Sequence, residues 1–212
     1  MIWITVVSLV LFSIVLASII EGLFHQFILH TPQRKLFGGK LYAAFDKHAL
    51  QHHPEYRAED YHKVPTHHEN PISLGPLMWP ATMLFISPIA VPLFMWLGPV
   101  ALTFPITVTL YYVMYEIVHW HMHFPRADGQ PRWYHKYPPT KNLFDWFDKR
   151  HYAHHMIDDT NFNVVIPVYD LIIGHYTTDY TKLPWGIRRR KAKAQAKSER
   201  LRQEYAAKVG KE

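Results

Sequence analysis

Two long stretches of this chain carry no charge, and they restrict the fold more than any other feature. The first twenty residues, MIWITVVSLVLFSIVLASII, precede the first charged side chain, Glu21. Such a run is long enough to cross a hydrocarbon core of roughly 30 Å. A cleaved signal peptide is the alternative, but no basic segment leads the apolar run and no clear A-x-A site follows it. Apolar character continues past Glu21 through GLFHQFILH, so Ile2 to about His30 reads as one retained helix. Ile72 to Tyr115 is likewise uncharged and suits two spanning helices joined near Leu97–Pro99. Pro80, Pro88, Pro92 and Pro105 would kink them, which membrane helices tolerate. A buried hairpin in a soluble domain is the competing reading, and so large an uncharged block argues against it.

Lysine and arginine give the orientation. Residues 31–71 carry Arg34, Lys35, Lys40, Lys47, Arg57 and Lys63, the turn at 97–99 carries none, and the tail GIRRRKAKAQAKSERLRQ is strongly basic. Spans at about 2–30, 74–97 and 99–121 with the N-terminus outside put 31–71 and 122–187 in the cytoplasm. NVVIPVYDLIIG is too short to span and suits an interfacial or re-entrant element. The expected fold is an all-α integral membrane protein of about three transmembrane helices with that fourth element. A cytoplasmic helical cap carries a His-rich dimetal site. The membrane domain covers 1–187 and a basic tail covers 188–212. That tail suits either anionic lipid headgroups or a solvated extension. Topology accounts for the net charge of +6, and no nucleic-acid module is seen.

The chain has sixteen histidines and no cysteine, so any metal site must use imidazole, carboxylate or main-chain oxygen. Four clusters stand out: HQFILH (25–30), HALQHH (48–53), HWHMH (119–123) and HYAHH (151–155). In the three-span topology all four reach the same membrane face. Positions i, i+3 and i+4 share a helical face. His151, His154 and His155 fit together, with the adjacent pair diverging enough to serve two ions. His119 and His123 share a face, and His121 points away. His48 and His52 share a face, with His53 displaced. His25 and His30 suit two metals, or one if the helix loosens at its end. Ten such imidazoles exceed what one zinc takes and match two metals of about five ligands each. Glu21, one turn before His25, and Glu116, three residues before His119, are placed to accept the second ring N–H of a ligand. Asp145 and Asp148 are weaker candidates.

These boxes resemble those of the fatty acid hydroxylase superfamily of integral-membrane di-iron enzymes, from about Glu21 to Gly174. EGLFHQFILH is similar to its first box, YEIVHWHMH to its third and HYAHH to its last; NFNVVIPVYDLIIG is similar to the stretch that follows. HALQHH departs, with H-x3-HH where the family has H-x2-HH. That leaves the role of His48 open and makes His62, His67 and His68 candidates to join or substitute. The resemblance implies two non-haem irons, with zinc a competitor on the affinity order. It also implies O2 as co-substrate, a lipid or fatty-acyl substrate drawn from the bilayer, and a separate electron-donor protein. The expected activity is hydroxylation of a lipid C–H bond on the cytoplasmic face. A lipid or sterol desaturase with the same site, or a non-catalytic membrane metal-binding protein, is the alternative. Phe85, Met95, Trp96, Tyr111 and Tyr112 lie in segments that could wall a substrate, or serve ordinary helix packing. A transporter would place ionisable groups in mid-span, and a zinc protease would show H-E-x-x-H; neither pattern is present.

Overall fold

The computed structural model describes residues 2–32, 40–62, 73, 78–123 and 132–209, among which helices dominate and no strand occurs. Helix α1 (Ile2–Phe24) continues without interruption into a π-helical turn, His25–Leu29. Helix α2 (Lys40–Phe45) likewise runs into a π-helical segment, Asp46–His52, and on into the single turn α3 (His53–Glu55). Helix α4 (Met78–Leu97) ends at Gly98, whose φ of +61° suits a residue without a side chain. The chain turns there through the 3₁₀ segment Gly98–Leu102 into α5 (Thr103–His123). The two arms pack antiparallel: Thr109 on α5 accepts from the Trp79 indole at 3.2 Å and faces the Met83 sulfur at 3.9 Å, both near the start of α4. Helices α6 (Pro138–Met156), α7 (Val168–Ile173) and α8 (Trp185–Val209) complete the chain.

Two runs are long and apolar enough to cross a membrane, Ile2–Leu29 and Met78–His123, and the second is the folded-back pair. Their outer faces are apolar: Trp3, Leu11, Leu84, Trp96, Leu110 and Met114 are exposed. A helix pair that shows such residues outward finds its solvent in hydrocarbon rather than water. The core lies where α1, α4 and α5 meet, with Ala17, Ile20, Ile86, Phe104 and Val108 buried, and Val164 and Val165 from the loop before α7 join the same cluster.

The segment NVVIPVYDLIIG is an irregular stretch, bent at residues 164–165, followed by α7, which lies against α1. Tyr169 sits so close to Gly22 that a Cβ there would fall 2.3 Å from its ring, and its hydroxyl donates to Gln26. Leu171 and Ile172 point outward while Asp170 is buried. Helix α8 starts at Trp185, ahead of the expected tail boundary. Ile187 is buried and Arg190 pairs with Asp159, so the start of the basic helix is packed on the cap.

Candidate metal centre

The ten histidines meet at one end of α1 and α5, under α3 and α6, in two groups of five. His25, His30, His48, His53 and His154 form the first; His52, His119, His123, His151 and His155 form the second. Within each group the ring nitrogens offered as ligands lie within 4.8 Å of one another. Nine of the ten residues are buried and His30 is partly so. As read from spacing, His154 and His155 face different groups.

The π-helical turns decide the other assignments. In a π turn the N–H of residue i+5 bonds the carbonyl of i, so i and i+5 come to lie on one face. His30 N–H donates to His25 O at 3.1 Å, and both rings join the first group. The N–H of His53 likewise donates to His48 O. His48 therefore pairs with His53, and His52 is the residue turned to the other group, which corrects the α-helical expectation that paired His48 with His52. The longer spacing of HALQHH relative to HYAHH has the same cause. The additional residue is absorbed by the π turn, and H-x3-HH presents three rings as HYAHH does on a regular helix.

The resulting arrangement has an approximate two-fold relation. His48 Nε2 lies 2.9 Å from His25 and 3.2 Å from His53; His151 Nε2 lies 3.0 Å from His123 and 3.1 Å from His155. His48 and His52 stack at 5.1 Å, His151 and His154 at 5.6 Å. His53 and His155 face each other across the centre. Each box thus gives two rings to one group and lends one, His52 or His154, to the other.

These distances fit metal ligation. Metal–nitrogen bonds of about 2.0–2.1 Å at tetrahedral to octahedral angles put adjacent ligand nitrogens roughly 2.9–3.4 Å apart. His25, His123 and His154 each use Nδ1–H on a carbonyl: Phe162 O at 2.6 Å, Tyr61 O at 3.1 Å and Thr160 O at 2.5 Å. Their Nε2 atoms are therefore bare lone pairs aimed inward. His52 is buried with neither ring nitrogen bonded to any group, a costly state that an ion at its lone pair relieves. The cap imidazoles are held neutral, as ligands must be. Burial first, then the neighbouring rings, push His48, His52, His53, His151 and His155 well below the usual range. Burial takes His154 down to about 4 against the opposing pull of Thr160 O, Asp158 and Asp159.

The carbonyl-bearing loop after HYAHH is clamped from three sides. Arg150, fully buried, donates to Asn163 O, Val164 O and Val165 O and lies 4.2 Å over the Trp146 ring. Asp170 accepts from the N–H groups of Phe162 and Asn163 at 2.8 and 2.9 Å. Its carboxyl is raised to about 6 by burial, against those two bonds and the Arg150 charge. Asn161 takes a left-handed φ of 47°, which asparagine tolerates, and its side chain ties Arg150 O to the Thr177 backbone. That reversal turns Thr160 O toward His154 and Phe162 O toward His25.

Glu21 does not touch His25, as the sequence reading had it. Its carboxylate accepts from Tyr111 OH at 2.6 Å, Val164 N–H at 2.6 Å and the Asn163 amide at 3.1 Å, so it acts on the loop that holds His25. The carbonyl of Phe162 takes the role given to the glutamate. Glu116 is partly buried on α5 beside Tyr112. His62 lies 3.7 Å from Asp148 and belongs to neither group. His67 and His68 fall outside the described residues. His121 turns back to Ile117 O, as its angle implied. A carboxylate the spacing did not mark, Asp158, lies 3.3 Å from His53 Nδ1.

Beside the first group, α1, α4 and α5 line a half-open, largely apolar cavity of about 50 Å³ that reaches His25 and is edged by Phe24, Thr82, Tyr111, Tyr112 and Tyr115. Tyr111 and Tyr112 line this cavity, where ordinary helix packing was the favoured expectation. Met95 and Trp96 do not; they sit four-fifths exposed near the far end of α4, and Phe85 packs on Phe24. Comparison with models of protein families, with characterised proteins and with solved structures finds no match for this chain.

Proposed function

We propose that this chain is a membrane-embedded, histidine-ligated dimetal enzyme that uses O2 to hydroxylate a C–H bond of a lipid or fatty-acyl substrate. The observation that carries the reading is an apolar cavity between the membrane-type helices that opens onto His25, a member of one of two adjoining five-histidine groups. Iron is the working metal on this reading, and imidazole-rich sites also take zinc. When bound, the iron pair supplies O2 activation and hydrogen abstraction. The two sets of five ligands are those of the first and second groups.

The chain's own residues account for the rest. His25 joins the cavity to the metal centre, so a substrate chain end beneath it lies beside the ligands. Phe24, Val108 and Ile20 supply apolar walls that exclude water. Helix α4 buries only Thr82 and Ile86 of its twenty residues, and it carries Pro88 and Pro92. It is the wall most easily displaced for sideways entry from the bilayer. The α1 run and the two arms of the folded-back pair make three spans, with the N-terminus outside and the metal centre on the cytoplasmic face. Electrons come from a separate donor protein on that face.

The test is untargeted lipid mass spectrometry on a host supplied with iron and a broad-specificity electron-donor protein, expressing the intact chain or His154→Ala. A lipid gaining one oxygen only with the intact chain is the expected result and names the substrate. A lipid losing two hydrogens makes the enzyme a desaturase. No difference, with candidate lipids supplied and metal occupancy verified, leaves a metal-binding protein without this activity.

A further inference from the structure

The first-group and second-group rings are near images of one another, but the support behind them is not. In the first group, His25 and His154 each donate Nδ1–H to a carbonyl, at 2.6 and 2.5 Å. Both carbonyls belong to the loop clamped by Arg150, Asp170 and Glu21. His53 adds a carboxylate, Asp158, in ion-pair contact without hydrogen-bond alignment. In the second group His123 has such a bond, to Tyr61 O and longer, at 3.1 Å. The Nδ1 atoms of His52, His151 and His155 are buried with no partner.

A partner on the far nitrogen fixes the ring and makes the ligating nitrogen more basic. Losing one such partner weakens metal affinity roughly 10–100-fold. We infer that the two sites are unequal: the first group binds its divalent ion at least about tenfold more tightly than the second and fills first. The inference rests on the reading of the two groups as metal sites, and not on the oxygenase chemistry. It makes a singly loaded form a real species, with the ion in the first group and the second group as the exchangeable position.

The experiment is a Co(II) titration of the full chain, stripped of metal and held in lipid nanodiscs, followed by visible absorption and by calorimetry. Two phases are expected, one equivalent each, separated by tenfold or more. His52→Ala should remove the weaker phase and keep the tighter. His30→Ala should remove the tighter. Asp158→Asn, at a side chain 59 % exposed and so safe for folding, should weaken the tight phase several-fold and leave the other in place. Two equivalents bound in a single phase, or loss of the tight phase in His52→Ala with the fold intact by circular dichroism, would overturn the inference. No binding of Co(II) at all would overturn the metal-site reading with it, and so is distinguishable from equal sites.

Discussion

The rings of His53 and His155 lie face to face, 4.3 Å between centroids and 13° between planes, although each belongs to a different five-histidine group. They mark the centre of the near-symmetric cluster. The relation exists because the π turn before His53 makes the second box present its rings as the regular helix presents those of the fourth.

That equivalence can be tested by shortening the second box. Leu50 is half exposed on the π turn. Deleting it gives H-x2-HH, and the segment should relax to a regular helix with the rings kept in their groups. The bound metal, counted by elemental mass spectrometry, should stay at two ions per chain. Deleting Ala153 from HYAHH, on a helix with no residue to spare, should lose metal. Loss of both ions in the Leu50 deletion would show that the π turn does more than absorb a residue.

Arg150→Met should cost at least about 3 kcal/mol, because three carbonyl bonds to a charged donor vanish and Asp170 loses a nearby cation. The same change frees the loop carrying Phe162 O and Thr160 O, so the first group should lose metal before the second. Denaturant unfolding and metal content on one sample check both.

The metal-free protein should lose stability as pH falls below about 6.5. An unfolded chain protonates its imidazoles from there, whereas the folded cap keeps them neutral far lower, with His154 at about 4. Their contribution is complete above the unfolded value and is lost on the way down to the folded one. Asp170 runs the other way: with its carboxyl raised to about 6, its cost is present above that pH and is relieved toward 3.8. Six depressed cap histidines outweigh the Asp170 carboxyl, so the net slope follows the imidazoles. Melting of stripped protein between pH 8 and 5 should show a falling Tm; a flat profile would contradict it.

Gly22→Ala should drive a methyl into the Tyr169 ring, 2.3 Å from Cδ1, and push α7 off α1. Overpacking of this kind costs roughly 1–3 kcal/mol. The readout is faster proteolysis within 166–176, with the spectrum of bound Co(II) in the first group perturbed through Asp170.

The membrane-type runs and all ten clustered histidines were legible in the sequence, because lack of charge and imidazole spacing are properties of side chains. The turn at Gly98 was legible for the same reason. What escaped is carried by the backbone. A π turn has no dedicated residue signature, so HALQHH was read at α-helical angles and His52 and His53 were exchanged. Carbonyl partners are contributed by every residue alike, so nothing in NFNVV marks Phe162 O as the acceptor for His25. Glu21 was correctly singled out as a carboxylate needing a partner in an apolar helix, and its partners proved to be a distant loop.

His52 and His154 each leave their own box to complete the opposite group. Neither half of the cluster can be built first and kept. The segment after α2, the ends of α1 and α5, and α6 must all be seated before either ion finds a full set of donors. Until then the chain encloses a knot of neutral rings, several with no partner on a buried nitrogen. On the metal-site reading, metal supply thereby becomes a checkpoint on maturation: delivery of the ions is the last step, and a cell short of them would accumulate a loosely closed precursor.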